Sequence, residues 1–412
     1  MNEAETESMT RTLVTQGFRV DHIHPDIVII NSCAVTAKAE REVRQTIYQI
    51  RKKFPTASIV VTGCAATRWI RDDEPIAGHI HLVPNEKKLD VTKIVCEFVK
   101  TDGITPNIES YSDKFSGSGR AMVKIQDGCH RFCSYCIVPY LRGKPVSKTI
   151  KEICGEIRGM DADISDVTLA AINTEAFGKD TGETLINLIE EVLETTTIPR
   201  LSFGSIHPWS ITDEFLSYYK TLSQNQRFVR FFHIPIQSGC QTTLSRMNRQ
   251  YDIGKLGTLM ESLTTIAPDT FIGTDVIVGF PGETDGEFET TYEFLRQSRI
   301  NRFHVFRYSS RPGTAAVGME KTIGTISPGI SRQRSERLLS LSRKKFSDFA
   351  RSLIEKTGPA LMLERKNTTH QEALLWNQMP IGITSENHID AGTLQDVKVT
   401  SCTDGKLFGI RV

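Results

Sequence analysis

Three cysteines, Cys129, Cys133 and Cys136, stand at C-x3-C-x2-C spacing in Gly128-Cys129-His130-Arg131-Phe132-Cys133-Ser134-Tyr135-Cys136. Thiolates at such intervals can wrap one iron–sulfur cluster, because the intervening loop turns all three sulfurs toward a common centre. Three ligands rather than four leave one iron open to a small molecule. Ser134-Tyr135 allows a tight turn and sets an aromatic ring, Tyr135, beside the cluster. The competing reading is a zinc knuckle. Zinc sites usually want four closed ligands in paired C-x2-C halves, and no second half follows here.

Other residues sit where strands should end. Ile27–Ile30 reads as a short buried strand. A helix follows, with Ala39, Val43, Ile47 and Ile50 on one face and charges opposite. Ser58–Thr62 reads as the next strand. Strand, helix, strand predicts a parallel pair. Cys33 and Cys64 then share the carboxyl rim of one sheet, where open α/β sheets collect ligands. That placement suggests a second metal site; two buried structural thiols is the alternative. Phe232-His233-Ile234-Pro235-Ile236-Gln237-Ser238-Gly239 closes a later strand, and Gln237 and Ser238 could hydrogen-bond a polar ligand there. In Asp275-Val276-Ile277-Val278-Gly279-Phe280-Pro281-Gly282, Gly279 lets backbone approach a ligand closely. Asp275 could instead cap a buried strand. Arg307 and Arg311 lie among aromatics in Val305-Phe306-Arg307-Tyr308-Ser309-Ser310-Arg311, a pattern that suits phosphate pairing and base stacking. A solvated loop is the plainer alternative.

The chain that positions these residues has 412 of them, enough for two or three domains, with 39% hydrophobic and 24% charged. Net charge is +1, so nucleic-acid contact must come from local patches, not bulk charge. There is no apolar run long enough to span a bilayer and no secretory signal at the start, so no membrane role is expected. Nine cysteines without a disulfide rhythm fit a reducing cytoplasm, where thiols serve metals. Residues 101–117, with scattered Gly, Pro and Ser, read as a linker. Six strand candidates follow, separated by helical stretches: Met122–Gln126, Val167–Ala171, Leu201–Ser205, Phe231–Ile236, Thr274–Val278 and Phe303–Tyr308. They predict an open, partial (β/α)6 barrel with the cysteine loop at the carboxyl end of its first strand. A Ser/Arg/Lys-rich helix spans 331–351. The tail shows strand signals at Ala360–Leu363, Ala373–Trp376, Leu394–Ser401 and Lys406–Val412, with Asp404-Gly405 favouring a tight hairpin. The expected division is 1–102, a linker at 103–117, 118–345, and a small β-barrel at 346–412.

The cysteine spacing, with an aromatic before the third thiol, resembles the radical S-adenosylmethionine (SAM) superfamily. Val123–Cys129 and Ile137-Val138-Pro139-Tyr140-Leu141-Arg142-Gly143 resemble the methylthiotransferases within it. So do Ile30-Asn31-Ser32-Cys33-Ala34-Val35-Thr36, Val61-Thr62-Gly63-Cys64-Ala65 and Asp275–Thr284. Cys33-Ala34-Val35-Thr36-Ala37 followed by Glu40-Arg41 looks most like the threonylcarbamoyladenosine tRNA methylthiotransferases. The resemblance weakens after about residue 345.

That resemblance implies a Rossmann-like first domain, a radical SAM core and an RNA-binding β-barrel called TRAM. It implies a 4Fe-4S cluster on Cys129, Cys133 and Cys136 whose open iron chelates SAM. One electron, from a small-protein or flavoprotein donor, then cleaves SAM to a carbon radical that removes the adenine C2 hydrogen. It places SAM contacts near Tyr135, Gln237, Ser238, Asp275 and Gly279. An auxiliary 4Fe-4S cluster on Cys33 and Cys64 would deliver the sulfur. The partner implied is tRNA, through its anticodon stem-loop, with Arg307 and Arg311 on the RNA. Two places depart from the pattern. Leu169-Ala170-Ala171-Ile172-Asn173 replaces a Thr-Gly pair, and His207 stands where Glu is usual. The third auxiliary cysteine of the resembled family is absent from this chain, and helix 3–16 has no strand to feed it, so either the chain starts late or its auxiliary site is incomplete. An upstream segment before Met1, with a short apolar strand ending in cysteine, is the expectation. Two alternatives remain open: a ribosomal-protein aspartate methylthiotransferase, and an impaired homologue that binds tRNA without thiolating it.

Overall fold

The computed structural model describes residues 1–76, 78, 80–101, 119–160, 164–364, 370–384 and 389–412. The linker expected at 103–117 lies outside them. Contact density divides the described chain into two units. The first combines the described residues before 102 with Asp127–Pro145 and Ser309–Val317. The second holds the strand residues up to Gln126, Val146–Tyr308 and Gly318–Val412. This cuts across the sequence-based boundaries: the cysteine loop groups with the amino-terminal residues. The reason is packing, since Ile137 and Leu141 share a buried core with Ala34, Ile47, Ile59 and Trp69.

The first unit opens with α1 (Asn2–Thr15), then β1 (Ile27–Ser32), α2 (Ala37–Lys53), β2 (Ser58–Gly63), α3 (Cys64–Arg71), β3 (Ile80–Pro84) and α4 (Val91–Thr101). Its three strands are parallel in the order β1-β2-β3. β2 alternates between two cores: Ile59 and Val61 face one, Val60 the other. Thr36 caps α2, its side chain accepting the Ala39 N–H at 3.1 Å. Both Cys33 and Cys64 therefore directly follow the carboxyl ends of neighbouring strands, as predicted.

The second unit contains six parallel strands: β4 (Arg120–Asp127), β6 (Asp166–Ala171), β7 (Arg200–Phe203), β8 (Phe231–His233), β9 (Phe271–Val278) and β10 (Arg302–Arg307), with a short β5 (Val146–Ser147) on the outer edge. The ladders β5-β4-β6-β7 and β8-β9-β10 meet at the Leu201–Phe228 bridge. This is the partial barrel predicted from the strand pattern. β8 is shorter than expected because Pro235 lacks an N–H to donate. The chain rejoins the sheet at Gln237, which bridges Val276. Helices α5 (Val138–Arg142), α6 (Ile150–Arg158), α7 (Leu185–Thr195), α8 (Asp213–Leu222), α9 (Gln241–Arg246), α10 (Ile253–Ile266), α11 (Asp285–Gln297), α12 (Ala315–Ile323) and α13 (Pro328–Arg351) complete the order. The barrel core joins Val123, Leu169, Leu201, Phe232 and Ile272 to Leu188, Tyr219, Met260 and Leu295 of the helices.

α13 covers β10, with Ser342 Oγ accepting the Phe303 N–H at 2.8 Å. The tail then forms a closed barrel, β11 (Thr357–Met362), β12 (Gln371–Leu375), β13 (Pro380–Thr384), β15 (Lys406–Arg411), β14 (Leu394–Thr403) in spatial order. Asp404 and Gly405 both take positive φ, +50° and +76°, so the Asp-Gly hairpin forms as read. β13 escaped the sequence reading. Asp269 anchors this barrel to the strands, bonding Arg230 at 2.7 Å and the Trp376 indole at 2.5 Å. Among the described residues, no helix is long and apolar enough to cross a membrane.

Candidate active site

β4 delivers the chain to Gly128, and the loop closes on itself at once. Cys129 N–H donates to Gly143 O at 3.1 Å. Gly128 has φ +74°, and a Cβ there would stand 2.1 Å from Lys144 O, so only glycine fits. Phe132, a non-glycine residue, is also left-handed at φ +46°. Such strain clusters at functional sites. Arg131 N–H points at Cys129 Sγ, 3.5 Å away, and Cys136 N–H closes a turn onto Cys133 O at 2.9 Å. Cys133 is buried, Cys129 and Cys136 are partly exposed, and none of the three is in a disulfide. Tyr135 is half-buried within the same loop. Three cysteines on one tight loop, with backbone N–H toward sulfur, fit a cluster with one open iron.

The second thiol pair lies in an ionic setting that the sequence did not announce. Cys64 is buried, with the Arg142 guanidinium near enough to act on its thiol. Burial pushes the Cys64 thiol up, and the Arg142 and Lys88 charges oppose this; Cys33 lies near enough to raise it further. Arg142 also donates to Glu5 at 2.9 Å and to Asp127 at 2.8 Å, while Lys88 donates to Glu5 at 2.6 Å. Two buried cations beside two thiols suit a group that carries negative charge. Cys33 and Cys64 can supply two ligands to an auxiliary cluster. Arg142 lies within the quoted Pro139–Gly143 stretch, so its signal was present; Lys88 and Glu5 gave none.

The residues expected to touch SAM divide. Gln237 is partly exposed at φ +69°, held by its N–H to Asp275 O at 2.8 Å. Ser238 is fully buried, and its hydroxyl meets Thr291 Oγ1 at 3.0 Å and the Cys240 N–H at 3.1 Å. These bonds shape the turn. Gly279, at φ +74°, makes room for α13: a Cβ there would stand 2.2 Å from Ser331 Oγ. Its N–H donates to buried Glu283, which is paired with Arg334 at 2.7 Å. The close approach predicted at Gly279 is therefore made by protein. Asp275 is engaged by two histidines: His233 Nε2 at 3.1 Å and His304 Nδ1 at 3.3 Å. Burial would raise its pKa, but the two imidazoles outweigh that and hold the carboxyl well below the usual range. Sequence reasoning missed Asn173. It lies two residues past the end of β6, 1% exposed, with its amide nitrogen lacking a partner among the described residues. An orphaned donor is costly unless a ligand or water meets it, so this rim fits a bound polar molecule. Thr174 Oγ1 lies 3.3 Å from His207 Nδ1, which makes His207 a tethered loop residue.

Arg307 ends β10 exposed, next to Phe306, itself 47% exposed. Arg311 differs from expectation. It is 3% exposed and bonds Glu40 at 2.7 Å, and Glu40 also accepts the Trp69 indole N–H at 2.7 Å. Its guanidinium neutralises a buried carboxylate and is not presented at the surface.

Comparison with known proteins follows these features closely. A family model described as "Uncharacterized protein family UPF0004" matches residues 1–79, and one described as "Radical SAM superfamily" matches 123–295. A threonylcarbamoyladenosine tRNA methylthiotransferase of Chlamydia pneumoniae is 34% identical, over 78% of this chain and 76% of its own. The Thermotoga maritima protein of the same name is 31% identical, over 84% and 80%. A tRNA-2-methylthio-N6-dimethylallyladenosine synthase of Thermosipho africanus is 30% identical, over 99% and 96%. Among solved structures, the radical SAM methyltransferase TsrM of Kitasatospora setae superposes with a TM-score of 0.50 at 14% identity, over 76% of this chain and 68% of that one. That likeness concerns the fold alone.

Proposed function

This chain belongs to the radical SAM methylthiotransferase family, and from that premise we propose that it adds a methylthio group to C2 of N6-threonylcarbamoyladenosine in tRNA. The observation that carries the reading is the 34% identity with a protein of that name, across 78% of the chain. When bound, the cluster and SAM supply the electron and carbon radical that can open an unactivated C–H bond. The protein's part is to hold and shield. Cys129, Cys133 and Cys136 are the cluster ligands, fixed by the Gly128 and Phe132 conformations. Asn173 and Gln237 offer amides to SAM at the strand ends. Cys33 and Cys64 would supply two ligands to an auxiliary cluster, the proposed source of sulfur, and Arg142 and Lys88 would offset its negative charge. Phe306 and Arg307 present a ring and a cation to a loop nucleotide, which unstacks at lower cost than one in a duplex. The tail barrel is the proposed further RNA contact. The proposed setting is the cytoplasm, with a small-protein or flavoprotein electron donor; nine cysteines without a disulfide rhythm suit such a reducing compartment.

A second substrate, N6-dimethylallyladenosine, has the 30% match over 99% of the chain in its favour. One experiment separates them. Anaerobic cluster-loaded enzyme, SAM and dithionite are given tRNA carrying either modification. Product on the threonylcarbamoyl substrate alone is the expected result. Product on the dimethylallyl substrate alone would overturn the assignment.

A further inference from the structure

Asp275 and its two histidines are not needed by anything above, and their geometry is that of a ligand set. His233 ends β8, Asp275 lies on β9 and His304 on β10. The register sets His233 opposite Gly273 and His304 opposite Asp275. Gly273 and Asp275 are two residues apart, so all three side chains emerge on one face. Gly273 leaves space for the imidazole: a Cβ there would lie 3.2 Å from His233 Nδ1. The rings stack at 5.4 Å. Among the described residues this is the only group of three or more His, Cys, Asp or Glu whose ligand atoms all lie within 4.8 Å of one another.

The distances suit a single ion. With bonds of about 2.0–2.1 Å, tetrahedral donors stand about 3.3 Å apart. Asp275 Oδ1 is 3.1 Å from His233 Nε2 and 3.3 Å from His304 Nδ1. Both histidines line a cavity of about 300 Å³ with Arg120, Phe231 and Arg302. Those three are the first residues of β4, β8 and β10, so the cavity lies at the amino-terminal ends of the strands. Barrels of this kind carry their chemistry at the other end.

We propose that His233, Asp275 and His304 bind one divalent transition-metal ion of zinc type, with an open coordination position facing this cavity. Two imidazoles and one carboxylate select zinc-like ions over magnesium or calcium, which prefer all-oxygen shells. The open position takes water or an anionic oxygen. The guanidiniums of Arg120 and Arg302 on the cavity wall suit the latter.

The test is zinc uptake by the cluster-loaded enzyme, with Zn2+ alone as probe. Metal content after dialysis is compared for wild type, His304→Ala and Asp275→Asn, alongside Cys33→Ala. His304 is the exposed member of the set, its side chain 55% accessible, so its replacement should leave the fold intact. The wild type should hold one zinc more than either site variant, at equal iron content, and Cys33→Ala should keep that zinc. Zinc should also raise the wild-type melting temperature and not that of His304→Ala. If His304→Ala loses iron, His304→Gln supplies the comparison. Equal zinc in wild type and site variants, or zinc lost only with Cys33→Ala, would overturn the site. A wild type that takes up no stoichiometric zinc would overturn it whatever the variants do.

Discussion

Arg307 and Arg311 are four residues apart in a stretch where both looked like phosphate contacts. One ends a strand in solvent; the other is 3% exposed and holds Glu40. Residue type gave the charge, but burial decides the role. Arg307→Ala should weaken tRNA binding and reduce the salt slope by about 1. An unchanged affinity across a salt titration would return Arg307 to ordinary solvated surface. Arg311→Ala should act differently. It leaves a buried carboxylate short of a partner and should cost about 3 kcal/mol of stability, read as a lower denaturation midpoint. Its salt slope for tRNA should match the wild type. A stable Arg311→Ala protein with a shallower slope would restore the RNA reading.

At the scale of elements, the legible parts were those with a local pattern. The six barrel strands each carry a short apolar run between turn residues, and all six form. The Asp404-Gly405 hairpin carries its own turn chemistry. β13 does not: Pro380 and Gly382 break its pattern in five residues, and its parallel pairing with β15 is set by distant chain. The cysteine loop was legible by spacing, whereas its packing with the amino-terminal residues was not, because Ile137 and Leu141 have no periodic signal in so short a helix. Loop shape itself can be tested. Gly128→Ala forces a Cβ against Lys144 O at a positive φ and should lower bound iron at least about twofold while the far-ultraviolet spectrum is retained. Full iron occupancy in that variant would show that the loop conformation does not shape the cluster site.

For the whole molecule, the account holds that two thiol sites do separate jobs in one reaction. Cys33→Ala or Cys64→Ala should leave reductive SAM cleavage largely intact yet stop methylthio transfer. Cys133→Ala should abolish cleavage itself, read as 5′-deoxyadenosine under dithionite. Equal loss of cleavage in Cys64→Ala and Cys133→Ala would contradict two independent sites. The ionic group around Cys64, built from Glu5, Lys88, Asp127 and Arg142, was invisible in sequence because its members are scattered over more than a hundred positions. The central claim is the nucleoside made, and mass analysis of digested tRNA from cells with and without this gene tests it most directly. The account predicts 2-methylthio-N6-threonylcarbamoyladenosine only when the gene is present, with the unthiolated nucleoside accumulating in its absence. An unchanged level of the methylthio nucleoside after deletion, with no other gene able to supply it, would contradict the account.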